Sequence, residues 1–207
     1  MYSKTEERLN VASHALGLLL SVVALVLLVM RATQKGDAWH VVSFAIFGIG
    51  LVTLYAASTA YHSSRNPASR AKLRVLDHAA IYILIAATYT PLCLLVLRGW
   101  QGWTIFGFSW AMAVTGVVIK LFFTGRFERT STAMYIFMGW IIVFAIKPLM
   151  ENLCSEGLFW LVAGGVSYTV GAGLFSLRKL PLNHALFHLF VLGGSLCHFI
   201  AVYVYVI

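Results

Sequence analysis

The sequence predicts an all-α polytopic membrane protein, a seven-transmembrane helical bundle with its N-terminus in the cytoplasm. Three observations carry that expectation. Of 207 residues, 60% are hydrophobic and only 11% are charged, where a soluble domain carries about 25%. The apolar residues gather into seven long runs, and the basic residues segregate to alternate connections between them.

In chain order the runs are 11–30, 41–61, 79–97, 103–119, 131–146, 158–177 and 182–207. Crossing the hydrocarbon as a helix takes about 20 predominantly apolar residues. The runs are continuous and rich in Leu, Ala and Gly, without the two-residue alternation of a barrel strand. Helices therefore satisfy the backbone within the lipid. The fifth run is the shortest. Lys147-Pro148 interrupts its extension towards Met150, because proline limits a helix and lysine must snorkel. In the third run, Tyr89-Thr90-Pro91 reads as a proline kink whose freed carbonyl is met by the threonine. The glycines of the sixth and seventh runs permit close helix contact. The connections are short and no internal repeat is visible, so residues 1–207 read as one membrane domain. The first run is too long for the apolar core of a secretory signal and lacks an A-x-A cleavage pattern.

Orientation follows from charge. The N-terminus and the second-to-third, fourth-to-fifth and sixth-to-seventh connections carry Lys4, Arg8, Arg65, Arg70, Lys72, Arg74, Lys120, Arg126, Arg129, Arg178 and Lys179. The other side holds only Arg31, Lys35, Arg98 and Lys147. The positive-inside rule puts the first set in the cytoplasm, which makes the inner (plasma) membrane of the cell the expected location. The net charge of +8 then belongs to headgroups and topology rather than to nucleic acid. Cys93, Cys154 and Cys197 show no C-x-x-C spacing and read as small buried hydrophobes rather than as a disulfide framework.

Polar residues inside apolar helices are costly, so their placement is informative. Glu7, Asn10 and His14 share one face at the start of the first helix. Ser58 and His62 lie one turn apart at the end of the second, Asp77-His78 opens the third, and His184 and His188 open the seventh. All four groups fall at the expected cytoplasmic ends. His184 and His188, at i and i+4, can chelate one ion from a single helix, with His62 as the third imidazole. A three-ligand zinc site keeps a fourth position for water, whose pKa falls towards about 7. Imidazole also suits Cu, Fe or Ni. Asp77 could orient that water or take its proton, and Ser58 could hydrogen-bond a polarised carbonyl. His198 lies about 15 Å further along its helix than His188 at 1.5 Å per residue, too deep for the same ion. It suits an interhelical hydrogen bond or a proton path. Glu7, Asn10 and His14 either hydrogen-bond the metal ligands, lie on a proton path, or form an interfacial helix cap. His78 reads as an interfacial residue and His40 as a loop residue.

The pattern Glu7-x2-Asn10-x3-His14, Ser58-x3-His62, Asp77 and His184-x3-His188 resembles the successive motifs of the progestin and adipoQ receptor superfamily. The wording at 57–62, 77–82, 87–91 and 190–199 is similar to its bacterial branch, the hemolysin III family. The resemblance covers nearly the whole chain. It implies a seven-helix bundle with a cytoplasmic N-terminus and zinc held by His62, His184 and His188, with Asp77 near the metal-bound water. Eukaryotic relatives are associated with hydrolysis of lipid amides, ceramide in particular, and bacterial members with cytolysis and membrane homeostasis. The leading expectation is a zinc-dependent lipid amide hydrolase at the cytoplasmic leaflet, with Asp77 as base, Ser58 at the oxyanion, and membrane lipids as partner and substrate. Beside it stand a non-enzymatic membrane-homeostasis regulator or receptor with structural zinc, and a cytolysin or channel.

Overall fold

The computed structural model describes residues 3–124, 126, 128–177 and 179–207. Of the basic residues counted for orientation, Arg178 and the Arg129 side chain lie outside the described residues. Helices fill the chain: α1 (Lys4–Lys35), α2 (Ala38–Ser63), α3 (Pro67–Pro91), α4 (Gly99–Phe123), α5 (Glu128–Trp140), α6 (Ile146–Asn152), α7 (Ser155–Ser176) and α8 (Asn183–Tyr205). No strand occurs among the described residues. Seven helical spans are long and apolar enough to cross a membrane, and the chain is a multi-pass membrane protein.

The helix starts are written locally. Ser3 caps α1 by accepting the Glu6 N–H, and Glu6 and Glu7 occupy its first turn, where the helix dipole favours anions. Asn66 accepts the N–H groups of Ala68 and Ser69 ahead of Pro67 in the first turn of α3. His40 is not a loop residue: it sits in the first turn of α2, in a capping box with Asp37 at 2.7 Å. The hydrogen bonds from His40 hold the exposed Asp37 carboxyl below its ordinary range. At 1.5 Å per residue the 32 residues of α1 reach about 48 Å, well beyond a hydrocarbon core of about 30 Å. The first turns of α1 therefore stand at headgroup depth.

Two spans depart from regular helix. Pro91 has no N–H to give the Ala87 carbonyl, and the chain continues as a π-helix over Leu92–Leu97. Thr90 does not repair that carbonyl. Its hydroxyl donates to Ala86 O at 3.0 Å and accepts from the Trp110 indole at 3.2 Å. The fifth span runs Thr130–Asn152, past the expected stop at Lys147-Pro148. Pro148 falls in the first turn of α6, where a missing N–H costs nothing. The break lies just before it, as a 3-10 turn at Ile141–Ala145. Tyr89 bridges that break, donating to Gly139 O at 2.8 Å and accepting the Ile142 N–H at 3.2 Å.

α1, α2, α3 and α4 pack in sequence order, and α8 packs on both α7 and α1. The third span is the most enclosed, 78% buried against 50% or less for the other six, so it forms the centre. Close approach of α1 depends on Gly17: a β-carbon there would lie 2.5 Å from the Tyr55 ring and 2.9 Å from Leu192. Cys93 is buried as expected, whereas Cys154 is exposed at the start of α7.

Candidate metal centre

The start of α1, the end of α2 and the start of α8 meet at one end of the bundle, with α3 beside them. Their junction is held by charge and hydrogen bonds. Arg70 of α3 pairs with Glu7 and donates to the carbonyls of Tyr61, His62 and Ser64 at 3.2–3.5 Å, which closes the C-terminus of α2. Glu6 accepts the backbone N–H of His184 at 3.2 Å, meeting one of the orphan donors in the first turn of α8. Leu182, left-handed at φ 57°, turns the chain into α8. Asn183 then ties it to α7 through Phe175 O at 2.9 Å.

This framework brings His62, His184 and His188 together, each buried, with one ligand nitrogen apiece within 4.8 Å of the others. Two of the outer ring nitrogens are anchored. His62 Nδ1 meets Glu7 Oε2 at 2.8 Å; a carboxylate only accepts, so Nδ1 carries the proton and Nε2 is a bare lone pair. Asn10 Nδ2 stands 3.5 Å from the same Nδ1, and the shorter Glu7 contact decides the tautomer. The Ser13 hydroxyl gives its hydrogen to Asn10 O at 3.1 Å. Its 3.4 Å contact with His188 Nδ1 is therefore accepted from that nitrogen, which frees His188 Nε2. His62 Nε2 and His184 Nε2 face each other at 3.1 Å. Two nitrogens bound tetrahedrally to one zinc at 2.0–2.1 Å lie about 3.3 Å apart. Outer N–H groups held by a carboxylate and a hydroxyl are what imidazole ligation requires. The three side chains fit a metal ion.

His14 joins the group without being a ligand. Its ring stacks on His188 at 3.5 Å between centroids and meets Tyr55 edge-on at 5.0 Å. Ser58 and Asp77 are buried, and both line a cavity of about 220 Å³ that also touches His14, His184 and His188. That cavity runs between the helices along apolar walls, from the histidines towards Leu149 and His198. His198 stays away from the imidazole cluster, as its position in α8 predicts, and stacks on Tyr168 at 5.4 Å.

Sequence reasoning did not single out Glu6, Ser13 or the role of Arg70. Lys120, counted as a loop charge, is 2% exposed in α4 and lines the cavity. His78, expected at the interface, lines the cavity too, and its carbonyl accepts the Tyr135 hydroxyl at 3.0 Å. The signal for Ser13 was available, since it precedes His14 on the helix that carries Glu7 and Asn10.

The family model described as Haemolysin-III related matches residues 2–199. The chain belongs to this family. Hemolysin-3 of Bacillus cereus is 48% identical over 202 residues, which span 98% of this chain and 92% of that protein. The Hemolysin-3 homolog of Bacillus subtilis is 43% identical over 205 residues, or 99% and 96% of the two chains. Further off, the human Monocyte to macrophage differentiation factor is 28% identical over 208 residues, covering 97% of this chain and 84% of its own. The haemolysin III chain thus stands, as its motifs imply, in the bacterial branch of the progestin and adipoQ receptor superfamily.

Proposed function

We propose that this haemolysin III protein is a zinc-dependent hydrolase of lipid amides or esters, working at the cytoplasmic leaflet of the plasma membrane. The observation that carries this reading is the meeting of three buried imidazoles, two of them anchored from outside, with Asp77 and Ser58 at the end of an apolar cavity. His62, His184 and His188 hold the ion. When bound, it supplies Lewis-acid polarisation of a carbonyl.

The chain's own groups do the rest. The apolar walls take the acyl chain, align its carbonyl with Ser58, and keep bulk water out. Asp77 accepts a proton from the attacking water at its carboxylate as the new C–O bond forms. Ser58 Oγ donates to the developing oxyanion. The C–N or C–O bond to the leaving group then breaks, and Asp77 returns the proton to the departing amine or alkoxide. Asp77→Asn should lower turnover by roughly 10²- to 10⁴-fold, the usual worth of a positioned general base, with metal content unchanged. Absence of turnover by fully metal-loaded protein across a panel of lipid amides and esters, with lipid profiles indifferent to His188→Ala in cells, would sink the reading.

A second reading rests on the same geometry. The cluster joins α2 to α8, with α1 packed behind it, so metal could act as a staple in a non-enzymatic regulator. Metal removal then lowers thermal stability, and function survives Asp77→Ala. Cytolysis is supported by the name of the Bacillus cereus relative; leakage of liposomes caused by purified protein, absent with a matched seven-helix control, is its test.

A further inference from the structure

We infer that the cavity has a second polar subsite at His198, about 15 Å from the histidine cluster, that grips a hydroxyl or carbonyl borne partway along the ligand's hydrocarbon chain. The inference rests on the reading that a lipid occupies this cavity.

The distance follows from α8 itself, since His188 and His198 are ten residues apart at 1.5 Å each. Both line the same cavity, with Val191 between them on that face. The intervening walls are apolar and come chiefly from α3, α5 and α7.

Around His198 the other polar groups are already matched. Tyr55 donates to the Ser195 hydroxyl at 2.7 Å, and Ser195 meets the Tyr168 hydroxyl at 2.9 Å. These bonds tie α2, α7 and α8 together at mid-membrane depth. The imidazole is the exception. It is 7% exposed and lines the cavity; its Nδ1 is shut off from that space with no hydrogen-bond partner among the described residues, which leaves Nε2 as the nitrogen a ligand can reach. The Nε2 edge rests on Gly164, where a β-carbon would come within 2.7 Å, and the ring face lies on Tyr168. The ring is thus held between a glycine and a tyrosine, with hydrogen-bonding capacity unused.

An unmet polar group inside a lipid-surrounded protein is costly, and such groups mark ligand or ion paths. The subsite distinguishes among lipids: a plain acyl chain leaves His198 unmet, and a chain with an oxygen at the right depth does not.

The probes are stearate and hydroxystearates bearing the hydroxyl beside the carboxyl, mid-chain or at the methyl end. They compete for the purified, metal-loaded full chain in detergent, with bound species counted by native mass spectrometry. The mid-chain isomer should bind roughly 2- to 10-fold more tightly than stearate, the net worth of one hydrogen bond. His198→Phe should erase that preference and leave stearate binding in place, and His198→Gln should keep it. Equal binding of all isomers to the unmodified protein overturns the proposal, whether or not the variants fold. So does a preference that survives in His198→Phe. Because these acids need no turnover, a preference without hydrolysis refutes only the hydrolase reading. Hydrolysis without a preference refutes only the subsite.

Discussion

Two of the polar groupings inside this bundle are built differently. At the α1/α2/α8 end, His62 and His188 each have one nitrogen anchored from outside, by Glu7 and Ser13, and one left facing inwards. In the middle, the hydroxyls of Tyr55, Ser195 and Tyr168 satisfy one another, and only the His198 imidazole is left over. The first pattern aims several lone pairs at one point, which is the geometry of an ion site. The second mainly joins helices, with one group spare. Similar residue types in the same membrane therefore do separate work, and the partner on the outer nitrogen tells them apart.

The comparison can be broken at either grouping. Glu7→Gln removes the carboxylate that fixes the His62 tautomer, so metal affinity should fall about 10- to 100-fold, measured by competition with a chelating dye. An unchanged affinity would mean that the outer anchors are packing alone. Tyr89→Phe strands the Ile142 N–H at the broken fifth span, and should cost about 1–2 kcal/mol of unfolding free energy. It should leave metal content alone, since the Tyr89 hydroxyl serves backbone. Ser195→Ala in the middle grouping should cost less, about 0.6 kcal/mol, as interhelical hydrogen bonds in membranes average. It too should spare the metal.

Smallest of all is the effect at the α2 cap, outside the lipid. The depressed carboxyl of Asp37 contributes stability that is present above its unfolded pKa, near 4. That contribution is lost as pH falls through the lower folded value. A slight difference between Asp37→Asn and the unmodified protein at neutral pH should therefore vanish in acid.

Much of this was legible beforehand, for reasons tied to lipid. The spans announce themselves because no water reaches the backbone in a membrane, so apolar helices are obligatory. The imidazoles stand out because each is expensive where it sits. The rest depends on which helix meets which. Ser13 and Glu6 look like ordinary residues of a helix start until α8 arrives beside them. Thr90 is expected at the carbonyl freed by Pro91 and instead serves Ala86, the i−4 carbonyl that a threonine hydroxyl ordinarily bonds within a helix. The 3-10 turn at Ile141–Ala145 has no local cause as clear as a proline within it; Tyr89, 53 residues before Ile142, accommodates it. Local pattern can flag the weak fifth span but not name its support.

The most direct test of the metal centre is elemental analysis of the purified protein, joined to X-ray absorption at the zinc edge. One zinc per chain, coordinated by imidazole nitrogens, is expected, lost in both His62→Ala and His188→Ala and retained in His198→Phe. Stoichiometric zinc persisting in either of the first two variants, or a shell dominated by sulfur, would contradict that expectation.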